Sequence, residues 1–415
     1  MSAAAAGGAG ASGARDLRLL AFAVGVSAAG DFIALITLSL KVHDLTGSAF
    51  AVSALFGATM LPIVALAPLG GRLADRVEST RVLLAASLAQ ALVATALAFV
   101  DPLAGILALT ALLTAGAAIA QPAEFALVPA VAGADRLAAA SGRMEAARYA
   151  GFTAGPLLAA GLVALGGTQL ALLVNAASFA AVALAAAGLR TRRHPEPHAA
   201  AHEDRAAGLR ALLGDRVLRP VVLAAVGALL FISASMTAEV FYVKDVLGAG
   251  DAGYAAMFAA WTLGMVFGAL ALPQRVPPAA MAAAALLALG LQGFGMAAQT
   301  AWAVLPAALA GYLVGGVGHG LKNALVRTVI AQRVASAAHG RAFAAYNAAR
   351  NAAELGALGA GGAIVGAAGA RNALVIAGLG PMIAALLGLA ALRQQRPQQR
   401  QRGLAPRLQP SAHDA

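Results

Sequence analysis

The sequence has 415 residues, 60% hydrophobic and 11% charged, and because soluble globular domains carry about 25% charged residues, this composition excludes an ordinary soluble domain and indicates a membrane protein. The formal net charge is +11, but the basic residues lie in short segments between long apolar runs, which argues against a nucleic-acid partner. The sequence contains no cysteine and no phosphate-binding loop of the ATPase type, which excludes thiol chemistry, a cysteine-ligated metal and a P-loop motor within it.

The apolar runs are about 20 residues long, which is what an α-helix needs to cross the ~30 Å hydrocarbon core of a bilayer. Residues 1–16, rich in Ala, Gly and Ser, are predicted to be a disordered tail. The run that follows is too long for a signal-peptide core, so we expect it to remain as a spanning helix. Hydropathy predicts twelve spanning helices, at 17–40, 48–70, 81–101, 103–127, 140–165, 169–189, 218–241, 251–272, 279–297, 300–326, 342–366 and 369–392.

Lysine and arginine are concentrated in alternate loops of this arrangement. With the N-terminus placed inside, the outer loops contain only Lys41, Lys244 and Arg371. Because short basic loops resist translocation, this distribution predicts a multi-pass protein of the cell membrane with both termini in the cytoplasm.

The short loop between the second and third predicted helices is basic. Its residues Gly71 to Arg76 (GRLADR), with Arg81 beyond them, resemble the signature that the major facilitator superfamily carries at this place. Glu78-Ser79 departs from that signature, which has Gly and Arg there. The resemblance implies that Asp75 meets a helix N-terminus of the other half and latches the cytoplasmic side, with Gly71, Arg76 and Arg81 completing a conformational-gate motif. The alternative is a solvated basic turn that only fixes the topology.

Residues 190–217 are the longest polar stretch between predicted helices. This predicted cytoplasmic loop divides the chain into a bundle at 17–189 and a bundle at 218–392, and residues 393–415 form a polar, basic cytoplasmic tail suited to anionic lipid. Two short matches, Ala126-Leu127-Val128 with Ala324-Leu325-Val326 and Gly142-Arg143 with Gly340-Arg341, lie 198 residues apart and favour duplication. The expected fold is therefore an all-α membrane protein of two pseudo-symmetric six-helix bundles, as in the major facilitator superfamily (MFS) fold.

A second resemblance lies in the fifth predicted helix. Gly151, Gly155 and Pro156 resemble the Gly-Pro motif of antiporters in this superfamily, and small residues four apart let helices approach closely. Ordinary helix packing is an equally good reading of the same residues. The segment from Gly30-Asp31 to Ser48, with Gln121-Pro122-Ala123, resembles a branch that includes enterobactin-type siderophore exporters and macrolide exporters.

Charged residues inside predicted helices are candidate substrate or proton sites, since burying them in lipid is costly. Asp31 lies past the middle of the first helix and is a candidate for binding a proton or a cationic substrate. A carboxylate satisfied by nearby donors is the alternative. Glu239, near the outer end of the seventh helix, is predicted to be either a gate residue or, preferably, an interfacial carboxylate in water. The superfamily's usual Arg in the middle of helix four is missing, because residues 107–121 are uncharged.

Paired charges occur on three further helices. Arg350 and Glu354, like Glu145 and Arg148, are spaced for bonding within their helices. We prefer self-neutralised pairs, the alternative being pairs that exchange partners between the halves. His319 can titrate near neutral pH, so His319 and Lys322, like Arg350 and Glu354, are candidates for binding a proton or substrate. The alternative for Lys322 is a side chain that extends to the cytoplasmic interface.

No metal site or cofactor is expected. His194, His198 and His202 are spaced by four, but Pro195 and Pro197 prevent the regular helix that would align them.

These features predict a secondary transporter rather than an enzyme, since no nucleophile or metal cluster converges. We expect it to export small amphipathic compounds, drugs or siderophore-like molecules, by proton antiport with alternating access. The expected partners are a small-molecule substrate, the proton and the lipid bilayer, and the expected state is a monomer. An importer or symporter of the same fold is the first alternative, and a non-transporting membrane scaffold is the second.

Overall fold

The computed structural model describes residues 3–133, 137–193, 205–335 and 338–403. Within these ranges the chain forms α-helices joined by short turns: α1 (Ala3–Thr46), α2 (Ala49–Arg76), α3 (Ser79–Leu97), α4 (Leu103–Ala132), α5 (Leu137–Gly188), α6 (Arg205–Gly214), α7 (Leu218–Phe241), α8 (Gly250–Ala271), α9 (Met281–Ala298), α10 (Leu305–Arg333) and α11 (His339–Gly403). A π-helical turn, Tyr242–Val246, continues α7, and 3₁₀ turns lie at Pro273–Arg275 and Pro278–Ala280. Nine helical segments of the described residues are long and apolar enough to cross a membrane.

Glycines bend the two longest helices. In α5 the backbone leaves helical geometry at Gly166 and Gly167, and Gly167 has a φ of 66°. In α11 it does so at Gly369, where φ is 78°. Residues other than glycine rarely adopt such positive φ values, so these positions turn the chain back across the bundle. The two bends coincide with the predicted breaks between 140–165 and 169–189 and between 342–366 and 369–392.

Helical structure extends beyond the predicted spans in two places. α1 begins at Ala3, so it includes most of the segment that the sequence predicts as a tail. The alanines there have the highest helix propensity of any residue. The short helix α6 lies within the predicted central loop, where Leu209 and Leu212 interrupt an otherwise polar segment.

The helices pack in two groups with the same pattern of neighbours. We call residues 3–193 the N-terminal half and residues 205–403 the C-terminal half. In the N-terminal half α1 packs against α5 and α2 against α4, while in the C-terminal half α7 packs against α11 and α8 against α10. Across the halves, α2 contacts α11 and α5 contacts α8.

Three hydrophobic cores show how the halves meet. One core contains residues of both halves, including Leu40 and Phe56 from the first and Tyr242 and Tyr254 from the second. The other two each belong to a single half: one surrounds Leu127 and the other Leu325. The halves are therefore joined where α1 ends, which we call the closed end, and are separate where α2 ends, which we call the open end.

The turn at the closed end is built from local rules. Gly47, with a φ of 57°, ends α1, and the hydroxyl of Ser48 accepts a hydrogen bond from the amide of Ala51 at 3.3 Å. A serine at this position satisfies one of the free amides at the start of α2. Because the turn is short, α1 and α2 run antiparallel and present neighbouring faces to the C-terminal half.

Candidate functional site

A cavity of about 220 Å³ lies between the halves. The N-terminal half contributes Phe32, Leu35 and Met60 from α1 and α2, and most of the remaining wall comes from α7, α8, α10 and α11. The chemistry of the wall is apolar and aromatic, interrupted by a few polar side chains. Such an apolar cavity with a few polar groups is the usual form of a small-molecule site.

Glu239 is the buried charge of this cavity. Its residue is 3% exposed, and Oε1 accepts a hydrogen bond from the hydroxyl of Ser235 at 3.2 Å. Oε2 forms no hydrogen bond with a described residue, although the hydroxyl of Tyr312 also lies close to this carboxylate. The preferred prediction of a carboxylate in interfacial water is therefore wrong. Position along the helix suggested water, but the end of α7 packs against α1, where the ring centroids of Phe241 and His43 are 4.7 Å apart, and Glu239 lies close to Tyr312 of α10.

Aromatic rings line the cavity in a continuous row. The ring centroids of Phe32 and Phe258 are 6.5 Å apart, those of Phe258 and Tyr312 are 6.4 Å apart, and those of Tyr312 and Trp261 are 4.9 Å apart. The ring of His319 follows at 5.4 Å from Trp261. These separations fall within the favourable range for ring pairs. Nothing in the spacing of these residues along the sequence indicated that they would meet.

Asp31 lines an adjoining cavity of about 190 Å³ within the N-terminal half. This cavity shares Phe32, Leu35 and Met60 with the cavity between the halves, so the two spaces adjoin. The side chain of Asp31 is exposed to the cavity. It has no hydrogen bond or salt bridge to any residue of the described part of the chain, which argues against the alternative of a carboxylate satisfied by nearby donors.

The polar groups near Asp31 in its mostly apolar cavity are hydroxyls and one amide. Thr59 and Thr114 lie in its wall, and the hydroxyl of Thr114 donates to backbone carbonyls. The amide nitrogen of Gln90 donates to the carbonyl of Leu113 at 3.2 Å and ties α3 to α4 beside the cavity. Water or a proton can therefore be held near Asp31 by groups that neither carry charge nor form ion pairs.

An ion-paired group lies beside Asp31. The guanidinium of Arg148 donates to Glu124 at 2.8 Å and lies 3.4 Å from Glu145. It also lies 5.6 Å from the centre of the Phe125 ring. The pairing of Glu145 with Arg148 agrees with the prediction. Glu124 of α4 is largely covered and is bonded through Arg148 to α5.

The corresponding group in the C-terminal half is arranged differently. Arg350 donates to Glu354 at 3.2 Å, as the spacing predicts. Lys322 is 3% exposed and forms no hydrogen bond or salt bridge with another described residue. The alternative of a side chain extended to the interface is therefore wrong, because α8 and α9 pack against α10 and the side chain is covered.

His319 lies in the wall of the cavity between the halves, one helical turn from Lys322 on α10. Its Nε2 accepts a hydrogen bond from the amide nitrogen of Asn323 at 2.8 Å. Since an amide nitrogen can only donate, the hydrogen of the neutral ring lies on Nδ1. Nδ1 is buried and has no partner among the described residues, so this nitrogen is free to bond to a molecule in the cavity.

The motif after α2 lies at the open end. Arg76 is exposed, and Gly71 has open space around it. Arg81 pairs with Glu78 at 2.9 Å, and Glu78 also lies 3.5 Å from Arg192 of the same half. The side chain of Asp75 lies outside what the structure describes. The contacts seen here hold the loop to its own half.

The α5 motif lies in a helix interface. A methyl group on Gly151 would overlap the carbonyl oxygen of Gly25, and one on Gly155 would overlap Phe32 and Ala29, so both glycines permit close contact with α1. Pro156 lies one residue further along the same helix. These contacts correspond to the helix-packing reading of the motif.

A group of charges joins the halves at the closed end, and sequence analysis did not assign it. The ammonium of Lys244 lies 2.5 Å from Asp44 of the N-terminal half and 2.7 Å from Asp251. The two ring nitrogens of His43 lie 3.0 Å from Asp44 and 3.3 Å from Asp245. The signal available in the sequence was that α1 and α7, which occupy equivalent places in the two halves, both end in charged residues.

Hydroxyl groups reinforce this junction. Ser53 of α2 and Thr237 of α7 are buried and form a hydrogen bond at 2.9 Å. The cross-half contacts of His43, Lys244 and Ser53 therefore all lie at the closed end. No group of three or more His, Asp or Glu side chains suited to a metal occurs in the described ranges, and His194, His198 and His202 lie outside them.

Comparison with known proteins gives a family and a fold. Residues 20–353 match the profile described as Major Facilitator Superfamily. No curated protein matches the sequence at a significant level.

Among solved structures, the nucleoside transporter NupG superposes with a TM-score of 0.73 at 14% identity, covering 91% of this chain and 99% of that one. A bacterial homologue of the iron transporter ferroportin in an inward-facing state gives 0.71 at 13% identity, covering 91% and 98%. A transporter of the POT family in complex with a thioalcohol-conjugated peptide gives 0.71 at 12% identity, covering 92% and 96%.

Proposed function

The chain belongs to the Major Facilitator Superfamily, and from this we propose that it exports small amphipathic compounds in exchange for protons by alternating access. Membership makes it a multi-pass membrane transporter rather than an enzyme. The finer assignment depends on one observation above all: Asp31, a carboxylate without a partner among the described residues, faces a cavity that adjoins the cavity between the halves. An unpaired acid in a membrane helix can take up and release a proton.

The proposed topology has twelve spans in two bundles of six. Counting the two arms of α5 and of α11 separately, and adding α10, gives twelve segments with the order that hydropathy predicts. The closed end carries Lys41, Lys244 and Arg371, while the basic loops lie at the open end, which supports a cytoplasmic open end. The conformation would then be inward-facing, with substrate entering from the cytoplasm.

Alternating access requires that the open end can close. In the proposed cycle the loop after α2 releases some of its contacts within the N-terminal half and docks on the C-terminal half, with Asp75 at a helix N-terminus. Arg76 and Arg81 would guide that approach. At the same time the contacts of His43, Lys244 and Ser53 would break at the closed end.

The proton is assigned to Asp31 and not to Glu124, because Glu124 is already bonded to Arg148. In a transporter that lacks an arginine in the middle of its fourth helix, Arg148 supplies the nearby positive charge from α5. A proton arriving at Asp31 would therefore be balanced electrostatically against the Glu124–Arg148 pair, whose two charges both act on Asp31.

The test is efflux of a fluorescent amphipathic dye from proteoliposomes with an imposed proton gradient. Wild-type protein should move dye against the proton flow, and an uncoupler should abolish this. Asp31→Asn should lower gradient-driven efflux by about 100-fold, because a carboxamide of the same shape takes up no proton. Downhill exchange of dye, measured without a gradient, should persist in this variant.

Asp101→Asn is the matched control, since the side chain of Asp101 is exposed at the closed end. It should retain gradient-driven efflux. Efflux that ignores the uncoupler would reject proton antiport, and dye that moves only together with the proton would favour the symporter of the same fold.

A further inference from the structure

The orphaned oxygen of Glu239 is the feature of the cavity that most needs a partner. Glu239 is almost completely buried, and Ser235 donates to only one of its two carboxylate oxygens. The hydroxyl of Tyr312 lies close to the carboxylate but forms no hydrogen bond to Oε2. A buried carboxylate oxygen without a donor is costly. Because Glu239 lines the cavity between the halves, a molecule in the cavity can supply the missing donor.

The charge of the cavity wall has one sign. Two carboxylates, Glu239 and Glu354, lie in the wall, and no lysine or arginine is among the described residues that line it. Glu354 is already bonded to Arg350, which leaves Glu239 as the carboxylate without a counter-ion. The missing donor is therefore expected to come with a positive charge.

The walls near Glu239 suit the rest of such a molecule. Phe258, Trp261 and Tyr312 present ring faces and edges in the same cavity, and cations are attracted to aromatic faces when water is excluded. Met60, Met236 and Met296 add flexible, polarisable side chains that adapt to different apolar shapes. The wall can thus accept a flat or branched apolar body of variable outline.

We propose that the transported compound is an organic cation, a protonated amine on an aromatic or branched apolar body, whose ammonium group donates a hydrogen bond to Oε2 of Glu239. This inference deepens the proposed function, on which it rests, by naming the substrate class. It also assigns a different role to each of two carboxylates: Glu239 pairs with the substrate, and Asp31 in the adjoining cavity binds the proton.

The experiment measures equilibrium binding to purified protein in detergent, without a gradient. The sequence has two tryptophans: Trp261 in the cavity wall and Trp302, which is exposed. In a Trp302→Phe background, quenching of Trp261 fluorescence reports on the cavity. The probes are 2-phenylethylammonium, its neutral isostere n-propylbenzene, and the anion 3-phenylpropionate.

The unmodified site should bind the ammonium probe about 10-fold or more tightly than its neutral isostere, since a charged hydrogen bond to a buried group is worth at least this much. The anion should bind most weakly. Glu239→Gln should abolish the preference for the cation while leaving the affinity for n-propylbenzene within about twofold. Asp31→Asn removes the same charge from the adjoining cavity and should retain the preference.

The results that overturn the proposal are equally clear. Equal affinity for the cation and the neutral isostere in the unmodified site would reject it, and this comparison does not depend on any variant at Glu239 folding correctly. Loss of the preference in Asp31→Asn but not in Glu239→Gln would place the cation site in the other cavity and reject the assignment. Because the measurement needs neither flux nor a gradient, a failure of proton antiport would leave its result standing.

Discussion

The two halves carry opposite charges at equivalent places. Glu124 of α4 and Lys322 of α10 are 198 residues apart, which is the spacing of the repeated segments that flank them. Equivalent positions in the two halves therefore differ in chemistry. The N-terminal half holds Glu124 in an ion pair with Arg148, whereas the C-terminal half buries Lys322 without a partner among the described residues.

The cavities differ in the same way. In the N-terminal half Asp31 is exposed to a mostly apolar space whose other polar groups are threonines and Gln90, while in the C-terminal half Glu239 is buried in a cavity with aromatic rings and methionines in its wall. A carboxylate with hydroxyl groups nearby suits a proton and its water, and an aromatic wall suits an apolar cation. The difference between the halves supports their separate tasks in the proposed cycle.

The largest expected effect is on the free energy of unfolding, and it tests the difference between Glu124 and Lys322. Glu124→Gln leaves the guanidinium of Arg148 with only Glu145 and should cost about 3 kcal/mol of unfolding free energy. Lys322→Met removes an unpaired buried charge without removing volume, so its unfolding free energy should stay equal or rise. Both values can be measured by reversible unfolding in mixed micelles.

Glu145→Gln is the control for this pair, because the carboxylate of Glu145 is exposed and lies further from Arg148. It should cost less than about 1 kcal/mol. Equal losses in Glu124→Gln and Lys322→Met would show that the two halves hold their charges in equivalent ways, against the comparison drawn here.

A smaller effect on the free energy of unfolding should distinguish a glycine of α5 from a glycine of α11. Gly155 of α5 lies against Phe32 and Ala29, so Gly155→Ala should cost about 1–3 kcal/mol through overpacking. Gly356 of α11 has no atom within 4 Å of an added methyl group. Gly356→Ala should therefore be neutral or stabilising by up to about 1 kcal/mol through helix propensity.

The same unfolding assay measures both variants. Gly161→Ala, also in α5 and also with open space, is the control that separates position on the helix from membership of α5. If Gly161→Ala destabilised as much as Gly155→Ala, the close approach of α1 and α5 would not be the reason for the cost.

The smallest expected effect concerns the junction between the halves. Lys244→Met removes the contacts to Asp44 and Asp251, and partly exposed pairs of this kind contribute about 1 kcal/mol each. A several-fold shift toward a form open at the closed end is expected. Spin labels at Leu45→Cys and Ala252→Cys, both exposed positions, should then show a longer distance component.

The chain suits this experiment because the sequence contains no cysteine. Lys244→Arg, which keeps the charge, is the control and should retain the short distance. An unchanged distance distribution in Lys244→Met would mean that the hydroxyl and apolar contacts alone keep this end closed.

Local sequence features anticipated the elements and their breaks. Runs of about 20 apolar residues and the Gly166-Gly167 and Gly369 bends follow from hydropathy and backbone freedom, which act over a few residues. The charges of Asp31, Glu239 and His319 stood out for the same reason, since a polar residue in an apolar run is visible without a structure.

Contacts between distant segments could not be anticipated. The burial of Glu239 depends on helices distant in the sequence, since Tyr312 of α10 lies close to its carboxylate and α1 packs against the end of α7. The junction of His43 with Asp245 joins residues 202 positions apart in the chain. The row from Phe32 to His319 draws on α1, α8 and α10. Such contacts depend on how the helices of the two halves pack together, and the residue pattern of a single helix does not determine this packing.

The π-helical turn at Tyr242–Val246 has a consequence for the junction. A π-turn encloses one more residue in its hydrogen-bonded ring than an α-turn does, and Lys244 and Asp245 both lie inside it. Relaxing it to α-helical geometry would swing these two side chains around the helix axis by roughly 100°, and the positive-φ glycines Gly248 and Gly250 just beyond could absorb the rotation. One local change of helix geometry would thus move both Lys244 and Asp245 away from their partners in the N-terminal half.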